Sequence, residues 1–403
     1  MSLARRHLLA FILLGLVLAG ALWSLPPIVD AVTGAAPGDA ELARPFWYVV
    51  GAPLANLLDM LTFLSLERAV AFLAVWILGL AAVGAFYPKP GSRRQRIVRA
   101  LTGPAVVVAL VFATVLLPRP VPRLVLSAPE RGGTTIIDYH AHTESSHDGR
   151  AGWTAERLGR WHAVQGFTAS YVTDHNAIFS RRVDQPITLL PGVEWSVHRQ
   201  HVIAIGAVRD LDRERYQGDT RRMLEIFADL HRQGALGIAS LPEYWRNHRE
   251  DLDAFVTAGV DGFEIVNCAP KALGFAAADR RDVTALAGRH DLLVTGASDN
   301  HGWGKVTCVW NVSVPGGSGF RANRVIARPI ALAQGSSASW SAAVSQPWLM
   351  LRSLTGSERI SWLTWILVFS IYRAVPRRTG QKAGWGILAR SIAGPPEPPA
   401  EET

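Results

Sequence analysis

"DYHAHTESSHDG" (residues 138–149) follows an apolar run, "TTIIDY" (residues 134–139), that reads as a buried strand. Three histidines and two aspartates stand in these twelve residues: His140, His142, His147, Asp138 and Asp148. Apolar packing has no use for so many ligand-type side chains where a strand ends. Similar clusters recur downstream. Asp174, His175 and Asn176 follow "SYVT"; Glu194 follows "LLPGV"; His201 opens "HVIAIG"; Asp299 and His301 follow "LLVTGAS".

Between the clusters the pattern alternates. "TAERLGRWHAVQG" is helical by composition, with Thr154 as its N-cap, and "TRRMLEIFADLHRQG" is an amphipathic helix ending at Gly234. "ALGIAS", helix "REDLDAFVTAG", "GFEIVN", helix "ADRRDVTALAGRH" and "LLVTGAS" continue the series. Strands separated by helices predict an α/β fold with a parallel sheet or barrel. About 200 residues suit a barrel of six to eight strands, whose strand C-termini converge on one face. There, side chains distant in sequence meet. One His-x-His is a weak signal, but four clusters at strand ends point to a metal site of imidazole and carboxylate donors.

"DYHAHTESSHDG", "TDHN", "PGVEW", "HVIAIG" and "SDNHG", in this order, resemble the motifs of the PHP (polymerase and histidinol phosphatase) family. The resemblance covers the central half of the chain. It implies a distorted (β/α)7 barrel holding two or three Mn, Fe or Zn ions and hydrolysing phosphoesters. Carried over by motif, the ligands are His140, His142, Asp148, His175, Glu194, His201, Asp299 and His301. Glu194 bridges two ions and is catalytic in that sense. Asp174 orients His175 or its neighbours. The chain departs from the family at "IASLPEYW", where Leu241 stands in place of the usual histidine before Pro242. This deprives the ion shared by Glu194 and His201 of a donor, which Glu243 replaces unless the site holds only two ions. Such ions supply a bridging hydroxide, so no protein nucleophile is needed. Ser145 and Ser146 read as loop residues.

Other side chains have two readings each. Arg181 and Arg182 clamp a substrate phosphate or lie in a solvated loop, and Lys305 is a similar candidate. Asn267 positions substrate from the end of "GFEIVN", with Glu264 lower in the barrel. His147 and His198 read as solvent-facing. Trp153, Trp195, Trp245 and Trp303 line a pocket or cap the barrel. Cys268 and Cys308 have no metal-type spacing and read as two buried thiols rather than a disulfide, although they are able to pair with each other.

The formal charge is +8 and the mean hydropathy +0.16. Between Glu130 and Pro329, Lys and Arg nearly balance Asp and Glu, so the basic surplus lies in the flanks. That distribution argues against a stable nucleic-acid partner. The flanks are apolar. "HLLAFILLGLVLAGALWSL" (residues 7–25), 69–87 and 101–117 each approach the ~20 residues of a membrane-spanning helix. The first, taken alone, also fits a signal peptide. Residues 46–66 carry Pro53 and Asp59 and are either a span or an interfacial helix. The expected organisation is a membrane region of three or four helices (1–118), a linker (119–133), the PHP-type domain (134–330), a connector (331–358), a last spanning helix (359–375) and a disordered tail (376–403). Cations in "KPGSRRQRIVR" (residues 89–99) and at Arg373, Arg377, Arg378 and Lys382 belong inside by the positive-inside rule. The expectation is a multi-pass protein of the plasma (inner) membrane with its catalytic domain outside the cytoplasm.

The leading functional expectation is a membrane-anchored metal-dependent phosphoesterase acting on a phosphorylated small molecule, nucleotide or lipid head group. One alternative is a degenerate domain that senses phosphorylated ligands, motivated by Leu241. Another is a metal-dependent amidohydrolase, although no lysine lies in these motifs to become the carboxylated ligand of that class.

Overall fold

Thirteen strands form in the described residues: β1 (Val29–Asp30), β2 (Ala40–Ala43), β3 (Arg123–Leu126), β4 (Ile136–Asp138), β5 (Ala169–Tyr171), β6 (Thr188–Leu190), β7 (Gly192–Val197), β8 (Gln200–Gly206), β9 (Ala235–Ser240), β10 (Gly262–Asn267), β11 (Leu293–Ala297), β12 (Val309–Ser313) and β13 (Asn323–Ala327). The structure, a computed structural model, describes residues 3–86, 91–127, 134–184, 186–206, 208–335 and 339–374. Lys89, Arg377, Arg378, Lys382 and the tail 376–403 lie outside the described residues.

Six strands make one sheet in the order β1-β13-β12-β4-β5-β6, and five make another in the order β11-β10-β9-β8-β7. Two seams close them into a barrel. At one, His175 and Glu194 form a parallel bridge just beyond β5. At the other, the Asn311 side chain stands in for a backbone ladder: its Oδ1 accepts from Gly296 N and its Nδ2 donates to Gly296 O, both at 2.7 Å. The buried amide thereby satisfies backbone groups that the gap would leave unpaired.

The expectation of strands regularly separated by helices needs correction. β4, β5, β7, β9, β10 and β11 run together, but β8 is antiparallel to both neighbours and β12 is antiparallel to β4. No helix joins β7 to β8. They form a hairpin across His198 and Arg199, at φ 32° and 57°. Positive φ at both loop positions is the demand of a type I′ turn, which Asn-Gly usually meets. "VHRQ" carries no such signal.

Helices cover the barrel where apolar residues recur at helical spacing. Thr220–Gln233 buries Met223, Ile226, Phe227 and Leu230 against the sheet, each contributing about 1.5–3 kcal/mol. Asp219 caps it by accepting from Arg222 N, and Gly234 ends it at φ 76°, where a Cβ is disfavoured.

Two helices, Leu66–Phe86 and Arg93–Leu116, are long and apolar enough to cross a membrane by length and composition. A capping box of Ser92 and Gln95 starts the second. The pair packs closely: a Cβ on Gly84 would lie 2.3 Å from Arg99 O. Val70, Leu78, Val83, Val106 and Phe112 point outward from this pair. The shorter apolar stretch His7–Leu22 and the helix Gly356–Ala374 complete the bundle.

The flanks also pack against the barrel. β1 pairs with β13 and extends the six-stranded sheet, while β2 and β3 form a separate two-stranded sheet, so residues ahead of the helix Leu66–Phe86 take part in the barrel's edge. The expected linker 119–133 contains β3, and the expected connector 331–358 contains the helix Ala342–Arg352. Residues 46–66 fold as two short helices, Phe46–Val50 and Ala52–Thr62, that end against the barrel: Ser65 Oγ donates to Gly335 O and Leu66 N to Pro270 O. Asp59, within this segment, is buried between Arg119 and Arg328 at 3.1 and 3.0 Å and accepts from Tyr48 Oη. Glu358 is buried with Arg44 at 2.9 Å and Asn56 at 2.8 Å.

Cys268 and Cys308 form a disulfide. The reading of two free thiols is therefore corrected. Cys268 lies just past β10 and Cys308 just before β12, positions that only the folded barrel makes adjacent.

Candidate metal centre

The eight side chains carried over by motif meet at one end of the barrel. β4 leads into His140 and His142, β5 into His175, and β11 into Asp299 and His301. Glu194 comes from β7 and His201 from β8. The hairpin is what joins these two: it sets His201 opposite Ser196, diagonal to Glu194, and His201 Nδ1 lies 2.6 Å from Glu194 Oε1. Asp299 takes φ 47°, an uncommon conformation for a residue with a Cβ, which turns the chain at the strand end.

The centre of the cluster is dry and crowded. His140 Nε2 and His142 Nε2 are 2.9 Å apart. Glu194 Oε2 is 3.3 Å from each, and Asp299 Oδ1 is 3.5 and 3.1 Å from them. A second group adjoins it: His175 Nε2 and His301 Nε2 are 3.5 Å apart, and Asp148 reaches them at 3.7 and 3.2 Å. A third comprises His175, Glu194 and His201.

The outer nitrogens show why these inner nitrogens face one another. His140 Nδ1 lies 3.0 Å from Glu264 Oε2, so its ring donates there and presents Nε2 as a lone pair. His142 Nδ1 lies 2.9 Å from Ser146 Oγ, which in turn donates to Asp174 Oδ1. That chain leaves His142 Nε2 as a lone pair too. His301 Nδ1 is 3.0 Å from the Asp299 carbonyl, with the same result. Lone pairs 2.9 Å apart repel unless a cation lies between them. Both Glu194 oxygens are buried and face imidazole nitrogens, His201 Nδ1 at 2.6 Å from Oε1 and His175 Nδ1 at 2.8 Å from Oε2. Donor separations of 2.9–3.5 Å around His140, His142, Glu194 and Asp299 are about those of ligands sharing one ion at ~2.0–2.2 Å. The residues therefore fit divalent metal, and their N/O composition suits Zn, Fe or Mn.

The carboxylates dominate the local field, and a proton on His140 or a bound cation answers the same negative charge. Burial works against a charge on His140, yet the carboxylates of Glu194, Asp299 and Glu264 outweigh it and raise its pKa well above the usual value. Burial and the neighbouring His301 lower the His142 pKa to about 3. Glu194 is held well below the carboxylate range: burial opposes this, but His201 and His140 prevail. Among the described residues, no Lys or Arg pairs with Glu194, Glu264, Asp148 or Asp299.

Several sequence expectations change. Asp174 does not orient the His175 ring. It accepts from Thr143 N at 2.6 Å and Thr143 Oγ1 at 2.7 Å, and acts on His142 through Ser146. Ser146, read as loop, therefore belongs to the site. Glu264 lies at the site rather than below it. A lone carboxylate inside the buried strand "GFEIVN" was the available signal, since such a charge needs a partner. Asn267 donates to Glu264 at 2.8 Å and Asp299 at 3.0 Å, so it positions ligands and is not free to bind substrate. Arg181 and Arg182 are not brought to the cluster. Arg182 pairs with Asp184 on the surface, and Arg181 sits over Phe179. Lys305 does line the cavity beside His301 and Asp299.

Leu241 is fully buried in the apolar core at the start of the helix Leu241–His248. The next turn serves the site instead. Tyr244 Oη lies 3.2 Å from His201 Nε2, and Glu243 Oε2 lies 3.9 Å from His201 Nδ1 while pairing with Lys271. Trp195 and Trp245 are buried, whereas Trp303 is half-exposed at the cavity. His147 is 76% exposed beside Asp148.

The sequence matches no protein-family profile, and no protein of curated function matches it. Solved structures with related backbones include PsfC from Pseudomonas syringae PB-5123, 19% identical, covering 60% of this chain and 98% of that one with a TM-score of 0.37. An amidohydrolase from Chromobacterium violaceum with bound sulfate and no metal is 17% identical, covering 41% and 87% with a TM-score of 0.30. The lesion-specific endonuclease EndoQ from Pyrococcus furiosus is 12% identical, covering 47% and 55% with a TM-score of 0.32. Likenesses this loose carry no functional inference.

Proposed function

We propose that the chain is a membrane-anchored, metal-dependent hydrolase of phosphoester bonds. The observation that carries this is the convergent, cation-poor cluster of five imidazoles and three carboxylates. His140, His142, Glu194 and Asp299 would hold one ion, Asp148, His175 and His301 another, and Glu194, His201, Glu243 and Tyr244 surround a third position. Bound divalent ions supply an activated water and offset charge on phosphoryl oxygens. The protein's part is orientation. Glu264 and Ser146 hold the His140 and His142 rings with Nε2 inward, Asn267 fixes Asp299 and Glu264, and Lys305 offers a positive charge to an incoming phosphate.

The reading places the barrel outside the cytoplasm. Each long helix has one end at the barrel and its far end near cations: Arg5 and Arg6, the run Arg93, Arg94 and Arg96, and Arg373. Short basic segments stay cytoplasmic. The disulfide supports the same side, because disulfides persist in oxidising compartments. Residues 46–66 then lie against the barrel without crossing. Fusion of alkaline phosphatase after residue 330 checks this; activity confined to a cytoplasmic reporter would refute it.

The function is tested with purified full-length protein. Elemental analysis after dialysis should find at least two ions per chain, and the loaded protein should hydrolyse a chromogenic phosphodiester. Tight metal without turnover of any phosphoester would return the assignment to a sensor, and turnover of amides alone to an amidohydrolase.

A further inference from the structure

The metal centre has two approaches: a polar one of about 430 Å³ past His147, Glu243, Tyr244 and Lys271, open to water, and a second on the helix-bundle side. A cavity of about 570 Å³ has Asp148, Asp299 and His301 on one wall. Its opposite wall is Leu61, Leu64, Leu66 and Val115, from the barrel-side ends of the helices Ala52–Thr62, Leu66–Phe86 and Arg93–Leu116 and the turn between the first two. Leu61 also lines a second cavity of about 750 Å³, a groove among the helices that opens at Leu16, Val106 and Val344 on their outer surface. Its walls are apolar throughout, including Leu16, Phe72, Leu80, Val106 and Leu110. Cavities of about 300–1,000 Å³ are ligand-sized. An enzyme acting on a water-soluble ester has no need of an apolar groove next to the approach to its site.

Charge is placed to match. Lys305 lines the first cavity, half-buried, with no ion pair or hydrogen bond among the described residues. Burial and the nearby Arg150 and Arg119 lower its pKa. Such an ammonium is stabilised by an anion. The Arg150 guanidinium stacks over Trp303, a half-exposed ring on the same wall. The apolar groove and the cavity holding Lys305 and the ion-binding cluster are thus neighbours, with Leu61 lining both.

We propose that the substrate is a membrane lipid with a phosphorylated head group, its hydrocarbon chain in the helix-bundle groove and its phosphate between Lys305 and the metal centre. This rests on the phosphoesterase reading and specifies its substrate class. In the reaction a water oxygen bonds to phosphorus, one ester P–O bond breaks, and the departing oxygen leaves with a proton from that water.

The test uses full-length, metal-loaded protein in mixed micelles. Three probes are compared: a soluble chromogenic phosphodiester, short-chain phosphatidic acid and long-chain phosphatidic acid. The long-chain lipid should be hydrolysed with kcat/KM about tenfold or more above the short-chain one, because burial of added methylenes is realised only with the groove. Leu80→Trp, in the groove, should bring that ratio close to one, and Leu110→Trp serves if the first variant does not fold. Equal rates for both lipids, or a chain-length preference that survives both groove variants, would overturn the lipid assignment while leaving the phosphoesterase reading in place. No hydrolysis of any of the three probes would overturn the phosphoesterase reading itself.

Discussion

Two clusters of charge are buried in this chain, and they differ in what balances them. At the junction of the helix bundle with the barrel, Asp59 sits between Arg119 and Arg328, and Glu358 sits beside Arg44. Each carboxylate there has a guanidinium, and the network ties the helices to the barrel. At the barrel mouth, the only basic partners of Glu194, Asp299, Glu264 and Asp148 among the described residues are imidazoles. Buried charge must be paired or neutralised. The first cluster is complete from its own side chains, while the second calls for cations from outside the chain. Charge balance separates a structural network from a metal centre more reliably than the number of ionisable residues does.

Breaking the second cluster should have the largest effect on chemistry. His140→Ala or Asp299→Ala should lower hydrolysis by about a thousandfold or more, since loss of several kcal/mol of metal-derived stabilisation is at stake. Detergent extraction and melting should show the protein still inserted and folded. Turnover at the original rate in either variant would remove the metal-centre assignment.

Breaking the first cluster should do the reverse. Asp59→Ala leaves two buried guanidiniums facing each other and should cost about 3–5 kcal/mol of stability. Metal content per folded molecule should stay as it was, measured by elemental analysis after size exclusion. Metal loss at unchanged stability would mean that the two clusters are not separate.

Within the metal centre, Leu241→His sharpens the boundary between site and core. Leu241 is fully buried among apolar side chains, so an imidazole there should destabilise the barrel by about 2–4 kcal/mol without adding an ion. An additional ion held after dialysis would show that the start of the helix Leu241–His248 reaches His201 after all.

The smallest expected effect is on a positioning residue. Glu264→Gln keeps the shape beside His140 but weakens the acceptor that fixes its ring. Metal affinity should fall by about 10–100-fold, read by competition with a chelator. If affinity is unchanged, Glu264 merely fills space.

Much of the barrel and its site follows from local pattern. The helices come from 3.6-residue periodicity with caps such as Asp219 and Gly234, and the donor types of the metal centre come from His, Asp and Glu placed just past apolar strands. Those signals are local in the chain, so they survive without coordinates. The β7–β8 hairpin was not readable, because His198 and Arg199 adopt positive φ under tertiary constraint rather than by preference. The partners of Asp174 were not readable for a similar reason: Thr143 and Ser146 belong to another loop, Thr143 being 31 residues away.

By itself the sequence showed most strand and helix segments, the apolar stretches and the His, Asp and Glu clusters at strand ends, because periodicity and side-chain chemistry are properties of neighbouring residues. Only the tertiary structure decided that Cys268 meets Cys308, that Glu264 and Ser146 face the histidines, that β1 joins the barrel sheet, and that one approach to the site borders the helix bundle. Each of these depends on contacts between segments tens to hundreds of residues apart, set by barrel closure and by the buried pairing of Asp59 with Arg328, for which local sequence carries no energetic term.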